Sequence, residues 1–388
     1  MKTLIKLYSS SPIRNVYAAL LFEPEQIVFL GGKEMREKQL KVFFREKLPS
    51  VKMEFYTVDL QNLENISQVL EEILKKYPES AVELCGGGNL LYIAVGELIG
   101  EQRIPAFFYD IKNAMIRNVS NFKITEEMNN LKAPKLQLED FVLMAGGSLE
   151  GYGHIGINKL SPEMQLDIEF LWNIFFDNQE RWRRLIDYLQ NKRNSLLTDP
   201  SPFSLHERMQ YNDFIEDKLS TLASSPGKII RDLNITQKQI NFSYKNDVIK
   251  KCLNDKGLIL ELYLFLIAMR MDFFDEVRIS TIIDWNGIGN EENNISNELD
   301  VTLVKGTRPI FISCKLKIIT VEDLNEIDML VKRFGGECGI GVVATVGTFS
   351  TDFPTVYRRA REMGIHVIEY DDFKFKRVEK ILGGLTPE

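Results

Sequence analysis

Short apolar runs alternate with amphipathic stretches along the first third of the chain. The apolar runs predict strands, and the stretches between them, whose apolar positions recur at helical spacing, predict helices. The predicted strands cover 3–8, 26–30, 52–58, 81–85 and 105–110, and the predicted helices cover 13–21, 35–47, 66–76 and 89–99. Strands that are separated by single helices pair in parallel. This part of the sequence therefore predicts a doubly wound α/β domain with a parallel sheet.

The last third of the chain has a different pattern, in which an apolar helix precedes a β-hairpin. The helix is predicted over 257–269 and accepts a single acid, Glu261. The elements predicted after it are hairpin strands over 299–304 and 310–314, a helix over about 321–334, a strand over 339–346, a helix over 354–363 and a strand over 365–369. The pattern predicts a second α/β domain.

The middle of the chain carries the weakest pattern. Residues 162–192 predict long amphipathic helices rich in aromatic side chains, which are more typical of core packing than of base stacking. A further helix is expected around 207–222. We therefore expect three domains, namely an α/β domain over 1–135, a helical connector over 136–245 and the second α/β domain over 246–388.

Composition narrows the class of protein. The chain has 388 residues and a formal net charge of −7, which argues against a dedicated high-affinity binder of duplex nucleic acid. No apolar run reaches the length of a membrane span, and the chain enters a strand-like segment directly after Met1. We expect a cytoplasmic protein without a membrane partner. Its four cysteines form no C-x-x-C pair, so neither a zinc site nor a disulfide framework is indicated.

An acid and a lysine fall at one end of the predicted hairpin. Asp300 lies on the first strand and Lys315 follows the second. A carboxylate that holds a divalent ion and an ammonium that orients the attacking water suit a metal-dependent phosphodiesterase. An isolated pair of this kind is more often a solvated hairpin face. Glu261 changes that balance, because a lone carboxylate on an apolar helix is costly unless it is ion-paired, protonated or bound to metal.

The order of a helical Glu261, a strand Asp300 and a strand Lys315 resembles restriction-endonuclease-like (PD-(D/E)XK) nucleases. The resemblance implies that Asp300 and Glu261 hold Mg²⁺ or Mn²⁺, with the carbonyl of Cys314 as a further candidate ligand. It also implies that Lys315 orients the water, and that products carry 5′-phosphate and 3′-hydroxyl ends.

The sequence departs from that family at Ser313, where an acid is expected two residues before the lysine. Glu298 is a candidate replacement, because residues two apart on a strand share a face. If nothing replaces the missing acid, weaker binding of Mg²⁺ or a preference for Mn²⁺ follows.

Two polar loops follow strands of the first domain, where ligands bind in parallel sheets. The first loop carries hydroxyl, guanidinium and amide groups, at Ser9, Ser10, Ser11, Arg14 and Asn15. The second precedes a helix and consists of Gly86, Gly87, Gly88 and Asn89. Such glycines let the backbone approach an anion at the helix N-terminus, although a tight turn is about as common a reason for them. Neither G-x-G-x-x-G nor a P-loop motif is present, so nicotinamide and ATP sites are poorly supported.

These loops resemble those of CRISPR-associated Rossmann-fold (CARF) sensor domains, which bind cyclic oligoadenylates at a two-fold dimer interface. The fusion with a nuclease pattern resembles the cyclic tetra-adenylate-activated nucleases of type III CRISPR defence. The resemblance implies a homodimer that is activated by cyclic tetra-adenylate and cleaves single-stranded DNA or RNA. That family commonly has Thr and Lys where this chain has Gly88 and Asn89, which weakens the expected phosphate contact.

Two alternatives stay open from the sequence. In the first, the N-terminal domain is itself a ring nuclease, and its loop over 9–15 positions a ribose 2′-hydroxyl for attack without metal. In the second, the chain is a non-catalytic nucleotide-sensing regulator, with Ser313 as a sign that the C-terminal site has decayed.

Overall fold

The structure is a computed structural model. It describes residues 2–386 except for 103, 112, 114, 130, 133, 153–158, 192, 197–203, 286 and 288–295. Within these residues the strands form two six-stranded sheets and one three-stranded sheet. No helix among them has the length and apolar character needed to span a membrane.

The N-terminal sheet is the predicted doubly wound sheet. Its strands are β1 (Thr3–Leu7), β2 (Gln26–Gly31), β3 (Lys52–Thr57), β4 (Ser80–Glu83), β5 (Ala106–Asp110) and β6 (Met115–Ser120). Its helices are α1 (Pro12–Phe22), α2 (Glu37–Lys47), α3 (Leu63–Lys76) and α4 (Asn89–Gln102). The strand order is β3-β2-β1-β4-β5-β6, and the first five of these strands are parallel, which confirms the prediction. The antiparallel edge strand β6 was not predicted.

The middle of the chain differs from the predicted helical connector. Its elements are α5 (Glu126–Asn129), α6 (Leu138–Met144), β7 (Ser148–Tyr152), α7 (Pro162–Asp177), α8 (Gln179–Gln190), β8 (His206–Gln210), α9 (Asp213–Ala223), β9 (Ile230–Ile235) and β10 (Gln239–Tyr244). The long helices over 162–192 are present. The prediction is wrong for the four strands, of which three form an antiparallel sheet of order β8-β10-β9.

The reason for this error is visible in β8 and β7. The sequence of β8 has no β-branched residue and buries only Met209, so nothing local distinguishes it from the start of a helix. The helix expected from about residue 207 begins instead at Asp213, after the strand. The strand β7 depends on a partner that lies far away in the chain, because it pairs with the edge of the C-terminal sheet.

The elements of the C-terminal sheet and its helices are α10 (Asp247–Cys252), α11 (Leu258–Arg270), β11 (Glu276–Asp284), β12 (Ser296–Lys305), β13 (Arg308–Lys315), α12 (Val321–Leu330), β14 (Ile340–Thr345), α13 (Phe349–Asp352), α14 (Pro354–Glu362), β15 (His366–Ile368), α15 (Tyr370–Lys374) and α16 (Val378–Gly384). They contain the predicted helix, hairpin, helix, strand, helix and strand in that order, whereas β11, the edge strand β7 and the last two helices were not predicted. The strand order is β15-β14-β13-β12-β11-β7. The predicted hairpin is β12 and β13, and the strands β13, β14 and β15 run parallel.

One hydrophobic core connects the N-terminal and C-terminal sheets. Tyr17 of α1 and Phe43 of α2 belong to the same buried cluster as Phe311 of β13 and Phe334, which follows α12. A second cluster lies on the other face of the C-terminal sheet and contains most of α11. The N-terminal and C-terminal sheets are therefore joined through the helices α1 and α2 and the segment that follows α12.

Candidate functional site

The two predicted loops of the N-terminal sheet meet in one pocket of about 260 Å³, which we call the N-terminal pocket. It lies where β1 and β4 end. Of the residues predicted for this site, those lining it are Ser9, Ser10, Arg14, Gly86, Gly87 and Gly88. The other lining residues are Tyr8, Gly31, Glu34, Leu60, Leu91 and Tyr92.

Different structural constraints apply at the three glycine positions of the second loop. A Cβ on Gly86 would lie 2.4 Å from the Cβ of Ser9, so the two loops can approach only with glycine here. Gly87 has a φ of +94°, a conformation that favours glycine. A Cβ on Gly88 would meet nothing within 4 Å, and its carbonyl accepts hydrogen bonds from the first turn of α4. Packing therefore explains two of the glycines, and Gly88 leaves open space beside the helix N-terminus.

Three predicted side chains do not line this pocket. The side chain of Asn15 is buried and bonds the backbone of Ser9 twice, with Ser9 N–H donating at 2.8 Å and Asn15 Nδ2 donating to Ser9 O at 2.7 Å. Asn15 therefore fixes the shape of the first loop. The hydroxyl of Ser11 faces Gly336 of the C-terminal sheet, and Asn89 is exposed on α4.

Sequence reasoning missed Tyr92 and Glu34 in the lining of this pocket. Tyr92 lies on α4 one turn after the glycines, and burial raises the pKa of its hydroxyl. A phenol ring there suits stacking on a base. The signal available in the sequence was the position of Tyr92 on α4, the helix that follows the glycines. Glu34 carried none, because it lies in a loop between β2 and α2.

The candidate catalytic residues lie where the hairpin strands separate. The last paired positions of β12 and β13 are Val301 and Ile312. Beyond them, the N–H of Cys314 donates to Oδ2 of Asp300 at 2.6 Å instead of to a strand carbonyl. A pocket of about 40 Å³, the C-terminal pocket, opens there and is lined by acids, a serine and a lysine, namely Glu298, Asp300, Ser313, Lys315 and Glu326, with five apolar residues.

Glu261 reaches this region from α11. Burial raises the pKa of its carboxyl well above the ordinary value, and the negative charge of Asp300 raises it further. Burial also raises the pKa of Asp300, while the hydrogen bond from Cys314 N–H and the charge of Lys315 oppose that rise. Asp300 therefore lies close enough, in a low-dielectric region, to oppose ionisation of Glu261, and the charges of Glu298 and Glu326 oppose ionisation of Asp300.

The backbone next to these acids is strained at Ser280. This buried residue of β11 has a φ of +48°, which is rare for any residue with a side chain. It interrupts the pairing of β11 with β12 opposite Asp300, since Ile279 pairs with Val301 and Thr281 pairs with Leu299. Strain of this kind concentrates at functional sites.

Lys315 is held loosely at the edge of the C-terminal pocket. Its Nζ lies 3.8 Å from Oδ1 of Asp323, which is 3.2 Å from Nζ of Lys317 and also caps α12 through Thr320. The lysine side chain is about one-fifth exposed, at 21%. Its ammonium can therefore move toward a bound anion without breaking a tight ion pair.

A divalent ion fits the chemistry of these residues. No group of three or more His, Cys, Asp and Glu side chains within the described ranges is arranged to hold a metal. Mg²⁺ is commonly bound by only one or two carboxylates plus water and substrate phosphates, so Asp300 and Glu261 are a sufficient protein contribution. A cation beside these carboxyls would offset the burial and the repulsion from neighbouring acids that raise their pKa values. The Cys314 carbonyl stays a candidate ligand.

Glu326 is the acid that sequence reasoning missed. It lies on α12 and lines the C-terminal pocket, and its charge is among the causes that raise the pKa of Asp300. The signal available in the sequence was its helix, which directly follows Lys315. Glu298, predicted as the replacement for the missing acid, also lines the pocket and lies on the exposed end of β12.

Comparison with known proteins places the fold. No protein-family model and no curated protein sequence matches the chain. Protein VC1899 from Vibrio cholerae has a similar crystal structure, with a TM-score of 0.74, 14% identity and coverage of 99% of this chain and 98% of that one. Can2 from Sulfobacillus thermosulfidooxidans in complex with cyclic tetra-adenylate gives a TM-score of 0.71 at 16% identity, with all of both chains covered. The chain therefore shares their α/β fold along its length.

Proposed function

We propose that this chain is a metal-dependent endonuclease of type III CRISPR defence that is activated by a cyclic oligoadenylate, cyclic tetra-adenylate in particular. The observation that carries the proposal is the pair Asp300 and Lys315 in the pocket at the split end of the hairpin, with Glu261 of α11 close enough for the charge of Asp300 to raise its pKa. Carboxyls with perturbed pKa values beside an ammonium are typical of functional sites, and carboxylates that bind a divalent ion suit phosphodiester hydrolysis. The fold shared with Can2, which was solved with cyclic tetra-adenylate, supports the choice of activator.

The residues divide the catalytic work by charge. Asp300 and Glu261 would hold the divalent ion, which would supply Lewis-acid stabilisation of the phosphate. The hydrogen bond from Cys314 N–H fixes the orientation of Asp300. Lys315 orients the attacking water and offsets charge that builds on the phosphate oxygens. Glu326 and Glu298 line the same pocket as Ser313 and are the candidate replacements for the acid that is missing there.

The N-terminal pocket is the proposed site of the activator. Its one cation among the lining residues is Arg14, the backbone at Gly88 leaves room for a phosphate, and Tyr92 offers an aromatic face to an adenine. Glu34 can accept a hydrogen bond from a ribose hydroxyl or an adenine amino group. These contacts suit a nucleotide better than a simple anion.

We infer a homodimer from the size of the N-terminal pocket and from the apolar surface next to it. The N-terminal pocket has about 260 Å³, below the roughly 300–1,000 Å³ that holds a drug-sized ligand, whereas a ring of four nucleotides is larger. The outer face of α4 is apolar beside it, with Ile93 46% exposed and open space at Gly96 and Gly100. We infer that a second copy packs on this face and completes the site around a two-fold ligand. The mass in solution should be that of a dimer, and Gly96→Arg should reduce it to a monomer.

Single-stranded DNA or RNA is the proposed substrate. The formal net charge of −7 disfavours a stable duplex complex, whereas brief contact with a flexible strand needs only a local cation such as Lys315. The test is a gel assay with labelled single-stranded DNA and RNA in Mn²⁺, with and without cyclic tetra-adenylate. Wild type should cleave only with the activator, and Lys315→Ala should not cleave.

Two other outcomes of this assay would change the proposal. Cleavage by Lys315→Ala at the wild-type rate would remove the proposed catalytic site. Tight binding of cyclic tetra-adenylate without cleavage of any polymer would favour a nucleotide-sensing regulator, with Ser313 as the residue that explains the lost activity.

A further inference from the structure

One ion pair connects the N-terminal pocket to the C-terminal sheet. Nε of Arg14 donates to Oε1 of Glu337 at 2.5 Å, and Nη2 donates to Oε2 at 2.6 Å. Nη1 of the same guanidinium donates to the carbonyl of Cys85 at 3.1 Å, beside the glycine turn. Bidentate contacts of this kind are the strong and directional form of an arginine–carboxylate pair. Arg14 therefore joins the pocket rim to a turn on the other sheet.

Glu337 lies in a tight turn that continues directly from α12. Residues 331–335 form a π-helical turn and residues 336–338 a 3₁₀ turn. Gly336 has a φ of +57°, and a Cβ on it would lie 2.7 Å from the hydroxyl oxygen of Ser11. The turn is thus packed against the loop after β1. It cannot move far unless its contacts with that loop separate.

The helix α12 joins this turn to the C-terminal pocket. Glu326 on α12 lines that pocket, and Asp323 at its first turn lies 3.8 Å from Nζ of Lys315. A helix is a stiff rod with a rise of about 1.5 Å per residue, so its two ends move together. A shift of the turn over 331–338 therefore changes the position of acids beside Lys315 and Asp300.

The N-terminal-pocket end of this connection offers one group that can bind an anion. Arg14 is the single cation among the residues that line the N-terminal pocket, and Glu337 already occupies two of its donors, Nε and Nη2, along one edge of the guanidinium. A phosphodiester and a carboxylate present similar oxygens to a guanidinium. A phosphate that enters this pocket therefore competes with Glu337 for the same donors.

We propose that Glu337 occupies Arg14 in place of a ligand phosphate, and that an anionic nucleotide displaces it and so releases the turn over 331–338 together with α12. This inference rests on the proposed function for the identity of the ligand and of the regulated site. The free energy needed to displace Glu337 lowers the affinity for the ligand. By linkage, the bound ligand shifts the equilibrium between the paired and released states toward the released state by the same factor. The pair thus couples the occupancy of one pocket to the geometry of the other.

The test uses Glu337→Gln, which keeps the size of the side chain and removes its charge. The matched control is Glu362→Gln, which removes a carboxylate from an exposed helix-surface pair with Arg359. Calorimetry with cyclic tetra-adenylate and amide hydrogen exchange of the segment 331–339 are measured for each. Glu337→Gln should bind about fivefold tighter or more, and its segment without ligand should exchange as fast as ligand-bound wild type. The control should match wild type in both.

A charge swap distinguishes the effect of the ion pair from the contribution of Arg14 to ligand binding. The double variant Arg14→Glu with Glu337→Arg restores an ion pair of reversed polarity, so exchange of 331–339 should stay slow while affinity for cyclic tetra-adenylate falls about tenfold or more. Unchanged affinity and unchanged exchange in Glu337→Gln would overturn the inference, even if wild type binds and cleaves as proposed. Faster exchange in Glu337→Gln with no cyclic tetra-adenylate binding by wild type would instead reject the proposed ligand and keep the mechanical connection.

Discussion

The N-terminal and C-terminal pockets are opposite in their electrostatics. The first is lined by backbone, hydroxyls, a few apolar side chains, one acid, Glu34, and one arginine whose charge Glu337 already balances. The second gathers acids, and burial together with repulsion from neighbouring acids raises the pKa values of Glu261 and Asp300. The first pocket therefore has its arginine paired without a ligand, and we propose that a ligand anion replaces Glu337 there. The second carries a repulsion that a cation would relieve, which suits binding of a divalent ion.

The largest expected effect is at Asp300. Asp300→Asn keeps an acceptor for Cys314 N–H but removes the charge that we assign to metal binding. Cleavage in the presence of cyclic tetra-adenylate should fall about 100-fold or more, whereas calorimetric affinity for cyclic tetra-adenylate should stay at the wild-type value. Asp371→Asn, on the exposed start of α15, is the control. A variant that cleaves normally would remove Asp300 from the catalytic site.

A smaller effect on the other pocket is expected at Gly88. Because a Cβ there meets nothing within 4 Å, Gly88→Ala should fold and bind nearly as wild type does. Gly88→Asp adds a negative charge beside the proposed phosphate position and should weaken cyclic tetra-adenylate on the order of tenfold. Calorimetry on both variants measures this difference. Equal affinities for the two would place the phosphates elsewhere.

The acidic pocket also predicts a dependence of stability on pH. An unfolded glutamate ionises near pH 4.3, whereas burial keeps folded Glu261 protonated to higher pH. The folded state then binds more protons, so the free energy of unfolding falls as pH rises from the unfolded value through the raised folded value. Glu261→Gln, which has no carboxyl to ionise, removes this fall in the free energy of unfolding.

Thermal unfolding in EDTA measures this effect. The melting temperature of Glu261→Gln should exceed that of wild type by more at about pH 8.5 than at about pH 5, with about 1 °C for each kcal/mol in a chain of this length. Added Mn²⁺ should stabilise wild type more than the variant. A constant difference between the two proteins across this range would mean that Glu261 ionises normally.

The smallest expected effect is at Ser313. Ser313→Asp introduces the acid that restriction-endonuclease-like nucleases carry at this position of their motif, and it should lower the Mg²⁺ concentration needed for half-maximal cleavage several-fold, on the order of one added carboxylate ligand. Ser313→Asn is the matched control and should leave that concentration unchanged. If Glu326 or Glu298 already fills the role, Ser313→Asp will not change the metal requirement.

The sequence predicted those parts of the molecule that local pattern determines. Alternating strands and helices were enough for the five parallel strands, and the hairpin pattern was enough to place Asp300 beside the residues around Lys315. Loops that follow neighbouring parallel strands meet at one edge, so the residues Ser9, Arg14 and Gly88 were found together.

Contacts between distant segments could not be predicted in this way. Glu337 lies in a short turn without a motif, and its partner Arg14 is 323 positions away. Asn15 looked like a ligand-binding amide, but its side chain bonds the backbone of Ser9 in the same loop. The small sheet β8-β10-β9 was missed because β8 lacks β-branched residues and depends on β10 for pairing.

The most direct test of the account is the initial rate at which wild type cleaves a fluorescent single-stranded DNA or RNA reporter in Mn²⁺, titrated with cyclic tetra-adenylate. The account predicts a saturable rise whose midpoint equals the calorimetric dissociation constant, because occupancy of the N-terminal pocket governs the C-terminal pocket. A rate that does not change with cyclic tetra-adenylate, while calorimetry shows the ligand bound, would contradict it.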